Sequence, residues 1–226
     1  MFSPPWASDR QLEEASTLCQ VITAIHQRGW CDGTGGNFSR VLSKAPLELL
    51  MAPSGVDKRS LTPADLIVVN GESQVIHGEG KASAETLLHL AIITTTGAGA
   101  VLHTHSQAAT LLSRLTPIRE ESQNVSHLYL QGLEMLKGLE GIQSHTQTIA
   151  IPILANNQNL QELSQAAAPH LAEAPHGLLI AGHGLYAWGD SLFTARRHLE
   201  ILEFLLEQHW RELLLNALLS QQPDGP

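Results

Sequence analysis

Gly97-Ala98-Gly99-Ala100-Val101-Leu102-His103-Thr104-His105 is the stretch on which the fold turns. Its glycines mark a turn, and the short apolar run from Ala100 to His103 reads as a buried strand. A helix is expected to follow over Ser106 to Leu115. Side chains two apart on a strand share a face. His103 and His105 can therefore point at one metal ion, while Thr104 points toward the opposite layer.

Working outward, Ser8-Asp9-Arg10-Gln11 reads as a helix start, with Ser8 as N-cap and Gln11 closing a capping box. Leu12, Ala15, Leu18, Cys19, Ile22 and Ile25 recur at helical spacing, and Gly29 supplies the stop. Asp32-Gly33-Thr34-Gly35-Gly36-Asn37 is a loop with unusual dihedrals or close backbone approach. Leu47 to Met51 reads as a strand ending in the turn Ala52-Pro53-Ser54-Gly55. Leu66 to Val69 and Gln74 to His77 read as a hairpin across Asn70-Gly71. Ser83 to Thr96 is helical in character, with Glu85 in its first turn.

Residues 116–130 read as irregular, and segments of that kind near a site often shape specificity. Further along, Glu134 to Leu139 is expected to be helical, Thr148 to Leu154 a strand and 158–169 a helix. Gly177 to Ala181 and Leu185 to Trp188 read as strands flanking Gly182-His183-Gly184. Asp190 or Ser191 opens a last helix running to about Leu215. Strands and helices mix along the whole chain, without repeat or linker. The expectation is one α/β domain over 1–226, with about 217–226 as a disordered tail. A largely antiparallel or mixed sheet lies between helical layers, because the hairpin at 66–77 argues against a purely parallel sheet.

Thirteen Lys and Arg against 22 Asp and Glu give a net charge of −9, a poor match for a non-specific nucleic-acid or anionic-membrane binder. Neither nucleic acid nor membrane is expected as a partner. No apolar stretch reaches spanning length. Met1-Phe2-Ser3-Pro4-Pro5-Trp6 lacks the basic-then-apolar pattern of a signal peptide. Two cysteines, Cys19 and Cys31, form no C-x-x-C pair or disulfide framework, which fits a reduced, cytoplasmic setting.

With twelve histidines, one i,i+2 pair is unsurprising by chance. Placement at the end of a buried strand raises the odds that His103 and His105 are ligands. A distant His183, flanked by glycines that let an ion and a substrate come close, raises them further. Three neutral imidazoles with an open fourth position are a usual catalytic zinc set. Spacing alone leaves iron, cobalt and manganese open. His26, His77, His127, His145, His170, His176, His198 and His209 read as non-ligands, and His89 as structural.

Gly35-Gly36-Asn37, Pro53-Ser54-Gly55 and Lys81-Ala82-Ser83 each offer backbone N–H groups beside a small polar or cationic side chain. Separately they are ordinary turns. Converged, they would cradle a phosphate, with Ser83 at a helix N-terminus.

Together, Gly33-Thr34-Gly35-Gly36-Asn37-Phe38-Ser39, Pro53-Ser54-Gly55, Ser83-Ala84-Glu85, His103-Thr104-His105 and Gly182-His183-Gly184 resemble, in content and order, the class II aldolase superfamily. The resemblance covers nearly the whole chain. It implies a three-layer α/β/α fold with a central mainly antiparallel sheet, and a homotetramer with sites near subunit interfaces. It also implies one zinc ion per subunit held by His103, His105 and His183, and a ketose phosphate substrate. Gly36, Asn37, Ser54, Gly55, Lys81 and Ser83 would hold the phosphate. Aldolases of the superfamily tend to carry Pro-Ser-Ser-Glu where this chain has Ala82-Ser83-Ala84-Glu85, so only Ser83 carries over as a hydroxyl.

Ala52-Pro53-Ser54-Gly55-Val56-Asp57-Lys58, Gly132-Leu133-Glu134-Met135-Leu136-Lys137-Gly138 and His183-Gly184-Leu185-Tyr186-Ala187-Trp188-Gly189 resemble a dehydratase branch of that superfamily. A carboxylate must then move the proton. Glu134, in the dehydratase-like segment, is the first candidate, and Glu85, at the aldolase acid/base position, the second. The ordinary alternatives are a solvated Glu134 paired with Lys137 or Lys58, and a Glu85 favoured by the helix dipole. Rival readings are a sugar-phosphate aldolase or epimerase, and a non-catalytic adducin-like interaction domain. The latter has no need of three metal-binding histidines.

Overall fold

The computed structural model describes residues 8–118 and 125–221. Helix α1 (Asp9–Gln27) opens with the capping box: Ser8 accepts from the Gln11 backbone and Gln11 reaches back to Ser8. Its buried face is Ala15, Leu18, Cys19, Val21, Ile22 and Ile25. Strands β1 (Asn37–Lys44), β2 (Leu47–Met51), β3 (Ile67–Asn70) and β4 (Val75–His77) then meander, each paired antiparallel with the next. Asn70 shapes the last turn by accepting from the Glu72 and Gln74 amides.

After α2 (Thr86–Thr96) come β5 (Ala100–Thr104), α3 (Gln107–Leu115), β6 (Val125–Leu130) and β7 (Ile149–Leu154). The chain continues as α4 (Leu160–Leu171), β8 (Gly177–Ile180), β9 (Gly184–Gly189) and α5 (Leu192–Leu219). Among the described residues, nine strands lie in the order β4-β3-β2-β1-β5-β9-β8-β7-β6. Every neighbouring pair is antiparallel except β7 with β8. The mainly antiparallel expectation holds.

Strand alternation divides the core in two. Leu102, Ala100, Leu185 and Ala187 pack with α1, α3 and α5 on one face. Val101, Tyr186, Trp188 and Leu178 pack with α2 and α4 on the other. The result is α/β/α, as read from the sequence. No helix among the described residues is long and apolar enough to cross a membrane.

Several boundaries differ from the sequence reading. The polar-rich segment 37–44 is a strand because tertiary partners satisfy its side chains: Arg40 pairs with Glu14 at 2.9 Å, and Ser39 lies 2.7 Å from His89 Nδ1. Val125–Leu130, read as irregular, is an edge strand whose one ladder runs along β7. Residues 119–124 of that stretch lie outside the described residues. Glu134–Gly138 forms a 3-10 turn. Helix α2 starts at Thr86, with Ser83 accepting from the Glu85 amide just before it. Ser191 is the N-cap of α5, and that helix continues to Leu219, into the segment expected to be a disordered tail. Of that tail, residues 222–226 lie outside the described ones.

Candidate metal centre

Three adjacent strands, β1, β5 and β9, assemble the site. His103 stands near the end of β5, opposite Asn37 of β1 and Tyr186 of β9. It is fully buried, and its ring stacks on Tyr186 with centroids 3.9 Å apart and planes at 11°. Its Nδ1 lies 3.0 Å from the Leu185 carbonyl. Donation there fixes the tautomer and turns the Nε2 lone pair into the site, the usual support for a ligating histidine.

His105 lies just past β5, where its amide donates to the Trp30 carbonyl at 2.7 Å, and its Nε2 is 2.8 Å from His103 Nε2. His183 occupies the β8–β9 turn. Gly182, at φ +65°, turns the chain there, and α3 pins the loop: Thr110 donates to the His183 carbonyl and Ser113 accepts from the Gly182 amide. The fourth group is Glu85, the N-cap of α2. Its carboxylate does not cap the helix but enters the cluster, with Oε1 3.0 Å from His183 Nε2 and 3.9 Å from His103 Nε2. Asn37 donates to its other oxygen.

The ligand atoms of Glu85, His103, His105 and His183 all lie within 4.8 Å of one another. Burial drives His103 well below the usual imidazole range and lowers His105, so both offer lone pairs at neutral pH. Burial alone would raise Glu85. The hydrogen bond from His183 and the field of the imidazoles outweigh it, holding the carboxyl at about 2.

Small residues make the room. A Cβ on Gly35 would come within 2.9 Å of His105 Nδ1, and one on Gly184 within 2.0 Å of the Thr104 carbonyl. Converging nitrogens, a fixed tautomer and glycine walls fit a borderline divalent cation such as zinc.

The three anion-loop candidates also come together. The Ser54 amide donates to the Lys81 carbonyl at 2.8 Å, joining the 53–55 and 81–83 loops, with Ser54, Gly55 and Lys81 exposed. Gly36, at φ +79°, is packed against the His103 carbonyl, and Asn37 reaches Glu85 two residues beyond Ser83. Buried Lys58, which the sequence reading did not place here, ties the loops together by donating to the carbonyls of Val56 and Thr34.

Glu134 is not brought to the cluster within one chain. Its side chain is 71% exposed and pairs with Lys137 at 2.5 Å, with His145 3.9 Å away. In the sequence, Tyr186 figures only as part of the 183–189 motif, and Glu203 is not singled out. Tyr186 reaches His103 only through the β5–β9 register. Glu203 lies on α5, and Thr104, the residue between the two histidines, donates to it at 2.5 Å. His89 is fully buried, with Nδ1 2.7 Å from the Ser39 hydroxyl.

The class II aldolase and adducin N-terminal domain model matches residues 16–210. The chain belongs to that family. Among its class II aldolase relatives, the methylthioribulose-1-phosphate dehydratase of Serratia proteamaculans (strain 568) is 41% identical over 212 residues. That match spans 91% of this chain and 100% of the relative. The dehydratase of the same name from Pseudoalteromonas translucida (strain TAC 125) is 38% identical over 209 residues, 90% of this chain and 94% of that one. Among solved class II aldolase structures, the L-fuculose-1-phosphate aldolase of Thermus thermophilus superposes with a TM-score of 0.67 at 27% identity. It covers 93% of this chain and 99% of its own.

Proposed function

We propose that this chain is a zinc-dependent lyase that dehydrates 5-methylthioribulose 1-phosphate to 2,3-diketo-5-methylthiopentyl 1-phosphate, a step of methionine salvage. The observation that carries the reading is the end-to-end similarity to methylthioribulose-1-phosphate dehydratases, at 41% identity to that of Serratia proteamaculans.

His103, His105 and His183 are the residues that would hold the zinc ion, one per chain. The bound ion supplies Lewis-acid polarisation of the ketose oxygens. Lys81, Ser54, Gly55, Ser83, Gly36 and Asn37 hold the phosphate, through backbone amides, short polar side chains and one ammonium. A carboxylate takes the C3 proton, the C4–O bond breaks, and the hydroxyl departs with a proton as water. The resulting enol tautomerises to the diketone.

Among the described residues, Glu85 is the proton carrier that one chain can offer, because it faces the imidazoles and is held ionised. Glu134, on the surface, serves only if assembly brings it to a neighbour's cluster. Phe193, Phe204, Leu213, Leu214, Leu215, Leu218 and Leu219 leave α5 with an exposed apolar surface, which supports assembly into a homotetramer. A cytoplasmic setting follows the two free, buried cysteines.

The test is turnover of 5-methylthioribulose 1-phosphate by the zinc-loaded protein, read as appearance of the diketone and compared with His103→Ala. Turnover lost in the variant supports the reading. Zinc bound at these histidines without dehydration would overturn it in favour of aldol cleavage of another sugar phosphate.

A further inference from the structure

A second group of ligating side chains lies away from the centre described above. Glu140, His176 and His198 bring a carboxylate oxygen and two imidazole nitrogens within 4.8 Å of one another. The sequence gives no hint of it, because the three residues come from the loop after the 3-10 turn, the approach to β8 and the second turn of α5.

His198 is fully buried, and its Nδ1 lies 2.8 Å from the Trp188 carbonyl. That is the arrangement of His103 on Leu185: an imidazole anchored through Nδ1 to a carbonyl of β9, presenting Nε2. His176 is held at φ 57°, a region that residues other than glycine seldom occupy, and its ring lies 4.2 Å from that of His198. Burial keeps both rings neutral at pH 7, with lone pairs available.

The cleft beside the cluster carries acidic groups, with the Arg197 guanidinium on the cluster's other side. Glu140 and His176 line a cleft of about 410 Å³, together with Asp190. Thr95, Thr96 and Gly97 at the end of α2, and Leu171 and Ala172 at the end of α4, also line it. Two helix C-termini therefore lie beside two carboxylates, the α2 end already met by the Lys44 ammonium on the Gly97 carbonyl at 3.0 Å and the α4 end adding the negative pole of its dipole.

We propose that Glu140, His176 and His198 form a second binding site for a borderline divalent transition-metal ion, zinc being the natural probe. Two imidazoles and a carboxylate are a common zinc donor set. On one ion, neighbouring donors stand roughly 3.3 Å apart, as tetrahedral bonds of about 2 Å require. The three groups must therefore close in slightly. His176 must turn out of its stack on His198, and its half-buried ring at the cleft edge has space to do so. The cation also displaces two weak contacts of His198 Nε2: the Glu140 amide at 3.3 Å and the Arg197 guanidinium at 3.5 Å. Once bound, it ties three distant segments together.

Zinc stoichiometry is measured on the full chain by equilibrium dialysis with elemental analysis, alongside melting curves with and without zinc. His176→Asn removes the imidazole but keeps a residue that tolerates positive φ. It should bind one ion fewer than the native chain and lose part of the zinc-induced rise in Tm. His198→Gln should do the same, and Arg197→Gln should bind the second ion several-fold more tightly. His176→Asn with native stoichiometry and an unchanged zinc response overturns the proposal, whatever becomes of the His198 variant. Because the readout is a difference between chains, it is independent of whether the first centre binds zinc or supports dehydration.

Discussion

Thr104 Oγ1 donates to Glu203 Oε1 at 2.5 Å, so the residue between His103 and His105 is tied to a buried carboxyl of α5. Burial pushes Glu203 up to about 7 from an ordinary 4.5, against the lowering effect of its hydrogen bonds with Ser106 and Thr104. Between pH 4.5 and 7 the folded chain keeps this proton and the unfolded chain releases it. Stability is lost as pH rises through that window, by roughly 3 kcal/mol in all.

Buried histidines act in the opposite sense. His89 and His198 are each lowered to about 4, burial being the largest cause, so the unfolded chain takes up their protons first as pH falls below 6.5. Their contribution is present above 6.5 and lost toward 4. In wild type, Glu203 offsets part of this loss. Glu203→Gln should steepen the dependence of stability on pH between 5 and 6 by about one proton, near 1.4 kcal/mol per pH unit. Urea midpoints of the metal-free proteins across that range check it, and parallel profiles would reject the assignment.

Glu85→Gln should retain the fold and lower turnover by about 10²–10⁴, the usual contribution of a positioned acid–base group. Glu134→Gln decides whether assembly matters. If it too is inactive, mixing its subunits with inactive His103→Ala subunits should restore turnover, since a mixed interface can pair an intact cluster with an intact Glu134. Failure of the mixture to recover would place the role of Glu134 within its own chain.

Gly35→Ala meets no positive-φ penalty but sets a methyl 2.9 Å from His105 Nδ1. Displacing that ring should weaken zinc binding by about 10- to 100-fold, the range seen when a ligand's support is disturbed. Competition against a chelator measures the change, and unaltered affinity would remove His105 from the ligand set.

Lys81→Met, on the exposed loop beside Ser54, should raise KM for the ketose phosphate by about tenfold with kcat little changed, the pattern of lost uniform binding. Equal losses in kcat and kcat/KM would instead place Lys81 in the chemical step.

Much of this protein is legible in its sequence. The Ala100–Thr104 strand, the Ser8 capping box and the hairpin at Asn70 are set by local periodicity and turn chemistry, and local rules act on neighbours in the chain. The ordered motifs around His103, His105 and His183 likewise pointed to the class II aldolase family, which the match over 16–210 shows. Strand β1 escaped because Arg40 and Ser39 are tolerable inside a sheet only once Glu14 and His89 arrive from elsewhere.

The placement of the carboxylates was equally out of reach. Glu85 and Glu134 are alike as sequence, yet one enters the imidazole cluster and the other pairs with Lys137 in solvent. Glu140, His176 and His198 read as ordinary residues until three separated segments set them side by side. The sequence by itself determined most of the elements and, through its ordered motifs, the family, because local patterns are set by residues that are neighbours in the chain. Only the tertiary structure decided which carboxylate and which further histidines share a site, because electrostatic and ligating contacts fall off over a few ångströms and depend on packing between distant segments.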